Sequence, residues 1–216
     1  MRNMSALFCK ILPPRLPSGW FLACCLVLAT GAPRVSATTV IPPTFDQLVS
    51  RSDYIVRATV KSVTAEWRTD GANKHIISKV ELEVSEVIAG TPPQPLVLEM
   101  LGGKIGTQEM RVEGAPKFQV GDEDILFVHG NGQQITPLVA MMHGRYPVMH
   151  DPSTGRAYMA REGRAPLYDE QEVALPMGAA SSVKAKQPAA QPLSPEDFVA
   201  RIKNSRLNSA KTVNEN

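Results

Sequence analysis

The sequence predicts an all-β fold, a small closed Greek-key barrel of about five or six strands. Strand-like segments recur at a spacing of about 8 to 12 residues, with almost no helical pattern between them. The first two segments alternate between apolar and polar residues, as strands with one solvent-exposed face do. A short helix precedes the barrel, and another helix follows it after a disordered linker.

Residues 1–37 are interpreted as a cleavable signal peptide. Basic residues precede an apolar stretch over 20–30, and Val35, Ser36 and Ala37 offer the small side chains that signal peptidase requires. The apolar stretch is shorter than the roughly 20 residues that span a bilayer. Cleavage after Ala37 therefore predicts a periplasmic or secreted protein without a stable membrane span, and a retained anchor is the alternative.

Cleavage would change both the thiol content and the charge of the chain. All three cysteines, Cys9, Cys24 and Cys25, lie in the predicted signal peptide, so the mature protein has no thiol to form a disulfide or to bind a metal. Four of the 23 basic residues also lie there, which leaves 19 against 21 acidic residues. Because no cluster of lysine and arginine remains and aromatic residues are few, nucleic acid is excluded as a partner.

The first predicted elements are a helix and a long hairpin. Thr44 is placed to cap the helix, with Phe45, Leu48 and Val49 on one face. Tyr54–Trp67 and Ile76–Val87 then form an antiparallel hairpin around the turn residues 70–73. Glu81 and Glu83 belong to its solvent-exposed face, although two such acids could in principle act as a catalytic pair.

The later strands are shorter and separated by glycine and proline. We expect Ile125–Val128 to be a central strand, because it is apolar on both faces, and Phe118 to be carried inward by the loop before it. The other predicted strands are Leu96–Leu101, Gln108–Val112, Ile135–Met142, Arg145–Met149 and Arg156–Met159.

The C-terminal part divides into a linker and a helix. After the barrel domain, residues 38–175, the segment 176–193 is rich in Ala, Ser, Lys, Gln and Pro without apolar periodicity, which predicts disorder. In the final segment, 194–216, Ser194 and Pro195 begin a helix with an apolar face. That face either docks on the barrel domain or binds another protein.

The loop Gly102-Gly103-Lys104-Ile105-Gly106 superficially resembles a phosphate-binding loop. No convincing helix follows it, and the Gly-Lys-Ser/Thr sequence of a Walker motif is absent. We therefore interpret it as a bulge or barrel corner that needs positive φ angles.

The chemistry-bearing residues give only weak candidates, and no cofactor is predicted. The metal candidates are His143, His150 and Asp122, none with the paired helical spacing of a zinc site, so surface or turn histidines are the alternative. No Gly-x-Ser-x-Gly elbow is present. Further residues that could bind a metal are His75, His129, Glu123, Asp124 and Asp151.

One block of the sequence resembles a known group of proteins. The block runs from Gly102-Gly103-x-x-Gly106 through Gly114-Ala115-Pro116-x-Phe118 to Gly121-Asp122-Glu123-x-Ile125-Leu126-Phe127-Val128, preceded by 52–56 and Trp67. It is similar to a group of uncharacterised exported bacterial proteins. The resemblance covers roughly residues 45–159 and implies a five-stranded barrel of the oligonucleotide/oligosaccharide-binding (OB) type, similar in outline to the netrin-like domains of tissue metalloproteinase inhibitors.

This resemblance implies a fold and an exported location, but no activity. Those inhibitors chelate zinc through an N-terminal cysteine, whereas Thr38-Thr39-Val40-Ile41 occupies the predicted mature start.

Three hypotheses about function follow. The first is a non-catalytic exported binding module for a protein or glycan of the cell envelope, with Trp67, Tyr146 and Tyr158 as candidate ligand contacts on the surface or as core residues. The second is a metal-assisted hydrolase that uses His143 and His150. The third is a structural or assembly factor that acts through an undocked C-terminal helix.

The signal-peptide interpretation predicts the N-terminus of the exported protein. Expressed with its full sequence in a secreting bacterium, the protein should begin at Thr38, because the small residue Ala37 precedes the bond that signal peptidase cuts. Intact mass and N-terminal sequencing of the exported fraction measure this. Ala37→Arg should accumulate the uncut precursor, and export with residues 1–37 still attached would contradict the interpretation.

Overall fold

The structure of the protein is a computed structural model that describes residues 41–176, 178–187 and 189–214. The predicted signal peptide and its cleavage site lie outside the described residues. Within them, no helix is both long and apolar enough to cross a membrane.

The described chain is mostly β-structure with helices near its two ends. Two short 3-10 helices, Met141–Gly144 and Glu170–Ala174, lie in the connections. The strands are β1 (Tyr54–Asp70), β2 (Asn73–Ala89), β3 (Leu96–Leu101), β4 (Gly103–Ile105), β5 (Gln108–Met110), β6 (Glu123–Val128), β7 (Arg145–His150) and β8 (Ala157–Met159). The helices are α1 (Phe45–Arg51), α2 (Ser182–Lys186) and α3 (Pro195–Asn214).

Six strands form one antiparallel sheet in the order β3-β2-β1-β6-β7-β8, and β4 and β5 form a separate two-stranded sheet. The long hairpin β1–β2 is confirmed, with Asp70 opposite Asn73 across the turn. The central position of β6 is also confirmed, since it pairs with β1 and β7. Both faces of β6 are buried, Ile125 and Phe127 on one and Leu126 and Val128 on the other.

The predicted closed barrel is wrong, because the six-stranded sheet stays open between β3 and β8. The strand expected over Ile135–Met142 does not form. In its place Leu138 makes an isolated bridge to Val128, and Met141–Gly144 is a 3-10 turn. The segment expected to form this strand is therefore a loop that ends in a 3-10 turn.

That loop nevertheless covers the outer edge of β3. The Asn131 side chain accepts a hydrogen bond from the Glu99 amide at 3.3 Å and donates one to the Val97 carbonyl at 2.8 Å. The Ile135 carbonyl accepts a hydrogen bond from the Leu101 amide at 2.8 Å. A side-chain amide and one carbonyl thus satisfy backbone groups that a neighbouring strand would otherwise pair.

The edge at β8 is covered in a similar way. The Met159 carbonyl accepts from the Leu167 amide at 2.9 Å, and the Met159 amide donates to the Leu193 carbonyl at 2.8 Å. Leu193, the last residue of the predicted linker, is itself buried.

The predicted disorder of 176–193 stays a prediction, but the structure describes contacts within this segment. The Arg161 guanidinium donates to the carbonyls of Pro176 and Ala179, and Ser181 donates to the Glu172 carboxylate. α2 begins directly after Ser181 and is little more than one helical turn long.

Both predicted helix starts are confirmed. Thr44 and Gln47 form a reciprocal capping box at α1, in which the Thr44 side chain accepts from the Gln47 amide at 3.3 Å. Ser194 accepts from the Asp197 amide at 3.1 Å, with Pro195 at the first position of α3.

The apolar face of α3 docks on the sheet. Phe198, Val199 and Ile202 are buried in one core with α1 and one face of the sheet. The Phe198 ring lies 5.2 Å from the Tyr146 ring and 5.8 Å from the Phe45 ring, between centroids. The hypothesis of a structural or assembly factor requires a C-terminal helix with an exposed apolar face. Because this face of α3 is buried, the described chain lacks that feature.

Phe198→Ala should lower the free energy of unfolding by about 3–5 kcal/mol, because it removes a fully buried ring that joins α1, α3 and the sheet. Urea denaturation measures this difference. Leu207→Ala on the same helix is the matched control, since Leu207 is 61% exposed and should cost less than about 0.5 kcal/mol. Equal losses in the two variants would mean that α3 does not dock as described.

Candidate functional site

The structure does not bring the metal candidates together. His143 is buried in the 3-10 turn, His150 is exposed at the end of β7, and Asp122 lies in a loop before β6. Burial, together with the positive charge of Arg161, lowers the pKa of His143, which keeps its imidazole neutral at pH 7. Among the described residues, no three His, Cys, Asp or Glu side chains are arranged to hold a metal ion.

The aromatic candidates are also separated. Tyr146 is a core residue, buried against Phe127 and Phe198. Trp67 is 39% exposed near the far end of β1, with the Lys74 ammonium 4.5 Å from its ring centroid. Tyr158 lies half-buried on β8. Neither Trp67 nor Tyr158 lines the cleft described below.

The paired acids of β2 are surface residues, as their alternation predicts. Glu83 is exposed, and Glu81 lies 3.6 Å from the Lys61 ammonium and accepts from the Ser62 hydroxyl at 3.2 Å. Both are part of an ordinary solvent-exposed strand face.

A buried arginine organises the loop between β5 and β6. Arg145 on β7 donates through Nε to Asp124 at 2.9 Å and through Nη2 to Asp122 at 2.7 Å. Its Nη1 donates to the Lys117 carbonyl and lies 3.6 Å from the Glu162 carboxylate. Because Lys117 and Asp122 both belong to the loop, one guanidinium fixes the loop to β6 and β7.

The same loop carries Phe118 inward, as expected. The Arg145 guanidinium lies 4.4 Å from the Phe118 ring centroid, a cation–π contact. The loop also joins β1, since Val60 donates to the Asp122 carbonyl and accepts from the Gly121 amide, both at 2.9 Å. Residues 111–122 therefore build one loop that is anchored to β1, β6 and β7.

Three carboxylates surround this single guanidinium, so the cluster carries an excess of negative charge. Burial raises the pKa of Asp124, and Arg145 offsets only part of this effect. The pKa of Glu162 is raised by burial in the same way. Two buried oxygens of this cluster, Asp124 Oδ2 and Glu162 Oε2, have no hydrogen-bond partner.

The anchored loop forms one wall of an open cleft of about 640 Å³. Residues of β1, β2 and β3 form its floor, and β4, β5 and the loop form its sides. Apolar side chains dominate the lining, among them Val63, Val80, Met100, Met110, Phe118 and Met142. Charged residues at its border include Lys104, Glu109, Arg111, Glu113 and Lys117.

A second depression of about 480 Å³ adjoins this cleft and shares Lys117, Glu162 and Gly163 with it. The Phe118 ring lines the cleft, and Arg145, stacked on that ring, lines the depression. The charged cluster therefore supports the wall between the two.

The glycine loop has the positive φ angles that its sequence predicts, but it forms the corner between β3 and the β4–β5 hairpin, since the described strands make no barrel. Gly102 and Gly106 have φ angles of +101° and +59°. A Cβ atom on Gly103 would lie 2.4 Å from Ser78 Oγ and 3.3 Å from Ala65 Cβ. The absence of a side chain thus lets β4 pack directly on the long hairpin, which places β5 beside the cleft.

The outer edge of β5 is open. Among the described strands, β5 pairs only with β4, and no other described backbone group donates to or accepts from Gln108–Met110. The two-residue turn makes Ile105–Gln108 a hydrogen-bonded pair, so the next residue, Glu109, directs its N–H and C=O away from β4.

Comparison with known proteins identifies no relative: no family model, curated protein or solved structure matches the chain. The resemblance to exported barrel proteins therefore stays a prediction.

No local pattern in the sequence indicates the methionine-lined cleft or the role of Arg145. The lining methionines lie on β3, on β5 and in the 3-10 turn, so no local spacing connects them. The run of acids at 122–124 does indicate that a basic residue lies nearby, because acids beside a buried strand require a basic partner. It does not indicate that this residue is Arg145.

The raised pKa of Asp124 predicts a pH-dependent stability. The folded state retains this proton at pH values where the unfolded chain, with its ordinary carboxyl pKa near 4, has lost it. The Asp124 contribution to the free energy of unfolding therefore falls as pH rises from about 4 towards 7. The difference between wild type and Asp124→Asn, measured by urea denaturation, should decrease over this range.

Asp151→Asn is the control with the opposite sign. Hydrogen bonds from Ser153 and Thr154 lower the pKa of Asp151 to about 2, so its stabilising contribution is lost as pH falls from about 4 to 2. A difference in free energy of unfolding between wild type and Asp124→Asn that stays constant or rises between pH 4 and 7 would contradict a raised pKa of the buried Asp124.

Proposed function

We propose that the protein is an exported, non-catalytic binding module that takes up an extended, apolar segment of an envelope protein. The observation that carries this proposal is the open edge of β5 along a methionine-lined cleft. Export rests on the signal-peptide pattern of residues 1–37.

An extended peptide suits this edge because it can add to β5 as a further strand. Backbone hydrogen bonds then supply affinity, and alternate side chains enter neighbouring pockets. The edges at β3 and β8 are covered by Asn131 and Ile135 and by Leu167 and Leu193. The far part of β1 lacks a neighbour beyond β2 but bears charged side chains, a feature that discourages strand addition.

The lining favours apolar side chains of varied shape. Methionine is unbranched and polarizable, so a surface rich in methionine adapts to different apolar partners. Met100, Met110 and Met142 contribute such surface, and the charged border offers partners for the polar groups of a peptide.

A glycan is the less suitable ligand for this cleft. Sugar rings stack on exposed aromatic faces, yet Tyr146 is buried and Lys74 lies over the Trp67 ring. Phe118 is the aromatic residue in the lining, and the Arg145 guanidinium already lies over its ring.

Panning a phage-displayed random dodecapeptide library on the purified protein tests this proposal. Peptides with alternating apolar residues should be enriched, because alternate side chains of an added strand face the cleft. Their synthetic forms should bind in fluorescence anisotropy. No enrichment over uncoated beads, or binding to a glycan array in place of peptides, would overturn the proposal.

Two matched pairs of variants locate the site. Val63→Asp should weaken binding at least about tenfold, because it puts a charge in the cleft, whereas Val87→Asp should change it less than about twofold. The two valines are 40% and 45% exposed, and only Val63 lines the cleft. Glu109→Pro removes the outward N–H and should also weaken binding about tenfold, whereas Glu109→Ala keeps this donor and should not.

A further inference from the structure

We infer that Met110 and Met142 form an oxidation site that controls the cleft, so that their conversion to sulfoxides by peroxide closes it to apolar ligands. The effect on peptide binding rests on the proposed function. The order in which the methionines oxidise is independent of the proposed function.

The methionines of the described chain differ sharply in access. Met159 is fully buried and Met100 is 5% exposed, whereas Met110 and Met142 are half-buried and line the open cleft. Oxidation of sulfur follows exposure, so the two cleft residues should react before the two core residues. The chain has no cysteine after residue 25, and no thiol competes for the oxidant in the described residues.

The backbone before Met142 is held in an unusual conformation. Ala140 and Met141 are consecutive non-glycine residues with φ angles of +50° and +58°, in the left-handed region that such residues rarely adopt. Residues of this kind cluster at functional sites. Hydrogen bonds of this segment, from Val139 to the Phe127 carbonyl and from Met141 to the Leu138 carbonyl, hold it in place.

In this conformation the side chains of Met141 and Met142 lie beside Gly114 in the cleft wall. A Cβ atom on Gly114 would lie 3.0 Å from Met142 Cε and 3.9 Å from Met141 Sδ. Gly114 itself lines the cleft. The thioether of Met142 therefore packs on bare backbone at the opening rather than in the core.

The reaction consumes one peroxide for each methionine. The sulfur lone pair attacks one peroxide oxygen, an S–O bond forms as the O–O bond breaks, and proton transfer turns the departing hydroxide into water. Sulfur loses two electrons and peroxide gains them. The sulfoxide is polar and accepts hydrogen bonds from water. An apolar side chain in the cleft would displace this water and offer no hydrogen-bond donor, so its binding would be weakened.

Graded hydrogen peroxide treatment of the purified protein tests the inference, with peptide mass spectrometry to place each oxygen. Met110 and Met142 should oxidise at least about fivefold faster than Met100 and Met159. Affinity for a library-selected peptide should fall at least about fivefold in step with their oxidation, as should fluorescence of the apolar dye 8-anilinonaphthalene-1-sulfonate bound in the cleft.

The double variant Met110→Leu/Met142→Leu should keep both signals after peroxide treatment, because leucine preserves the apolar lining without an oxidisable sulfur. Met149→Leu is the control, since Met149 is half-buried but lines the neighbouring depression. Equal loss of the dye signal in the double variant and wild type, or equally fast oxidation of Met100 and Met159, would overturn the inference. Failure of every peptide to bind the untreated protein would instead overturn the proposed function, while the oxidation order and the dye still decide the oxidation site.

Discussion

The loop that builds the cleft depends on one buried cation, the guanidinium of Arg145. It binds Asp124 on β6, Asp122 and the Lys117 carbonyl in the loop, and it stacks on Phe118. Removing one partner of a buried ion pair costs about 3–5 kcal/mol, because the other charge is left without compensation. That cost is a large fraction of the roughly 5–15 kcal/mol by which a domain is typically stable. The cleft wall is thus held by electrostatics, while its surface is apolar.

The open edge of the candidate site belongs to the small β4–β5 sheet and not to the six-stranded sheet. The six-stranded sheet is open between β3 and β8, and residues 129–140 form a loop beside β3 in place of the expected strand. Asn131 then satisfies the β3 edge with its side chain, and β5, built on the glycine corner, keeps its own edge free. Loops therefore cover the edges of β3 and β8, and a three-residue edge stays open beside the methionines.

The parts of the fold that local sequence determines were predictable. Period-two alternation located the long hairpin, Thr44 and Ser194 located the helix starts, and a run of apolar residues located β6. Barrel closure could not be read in this way, because it depends on whether a loop pairs with a strand some 35 residues earlier. Likewise, the cleft joins methionines from three separate elements, and the partner of Asp124 lies 21 residues away.

The contact between the first and last helices has a consequence for how the chain folds during its synthesis. Asp46 on α1 and Ser205 on α3 are hydrogen bonded across a separation of 159 residues, and Phe45 packs on Phe198. Because Phe198 and Ser205 are synthesised long after Phe45 and Asp46, this core cannot close until α3 has left the ribosome. Contacts of such high sequence separation also form slowly. Until α3 emerges, α1 and the sheet face that it covers lack their main packing partner, so this core is completed late in synthesis.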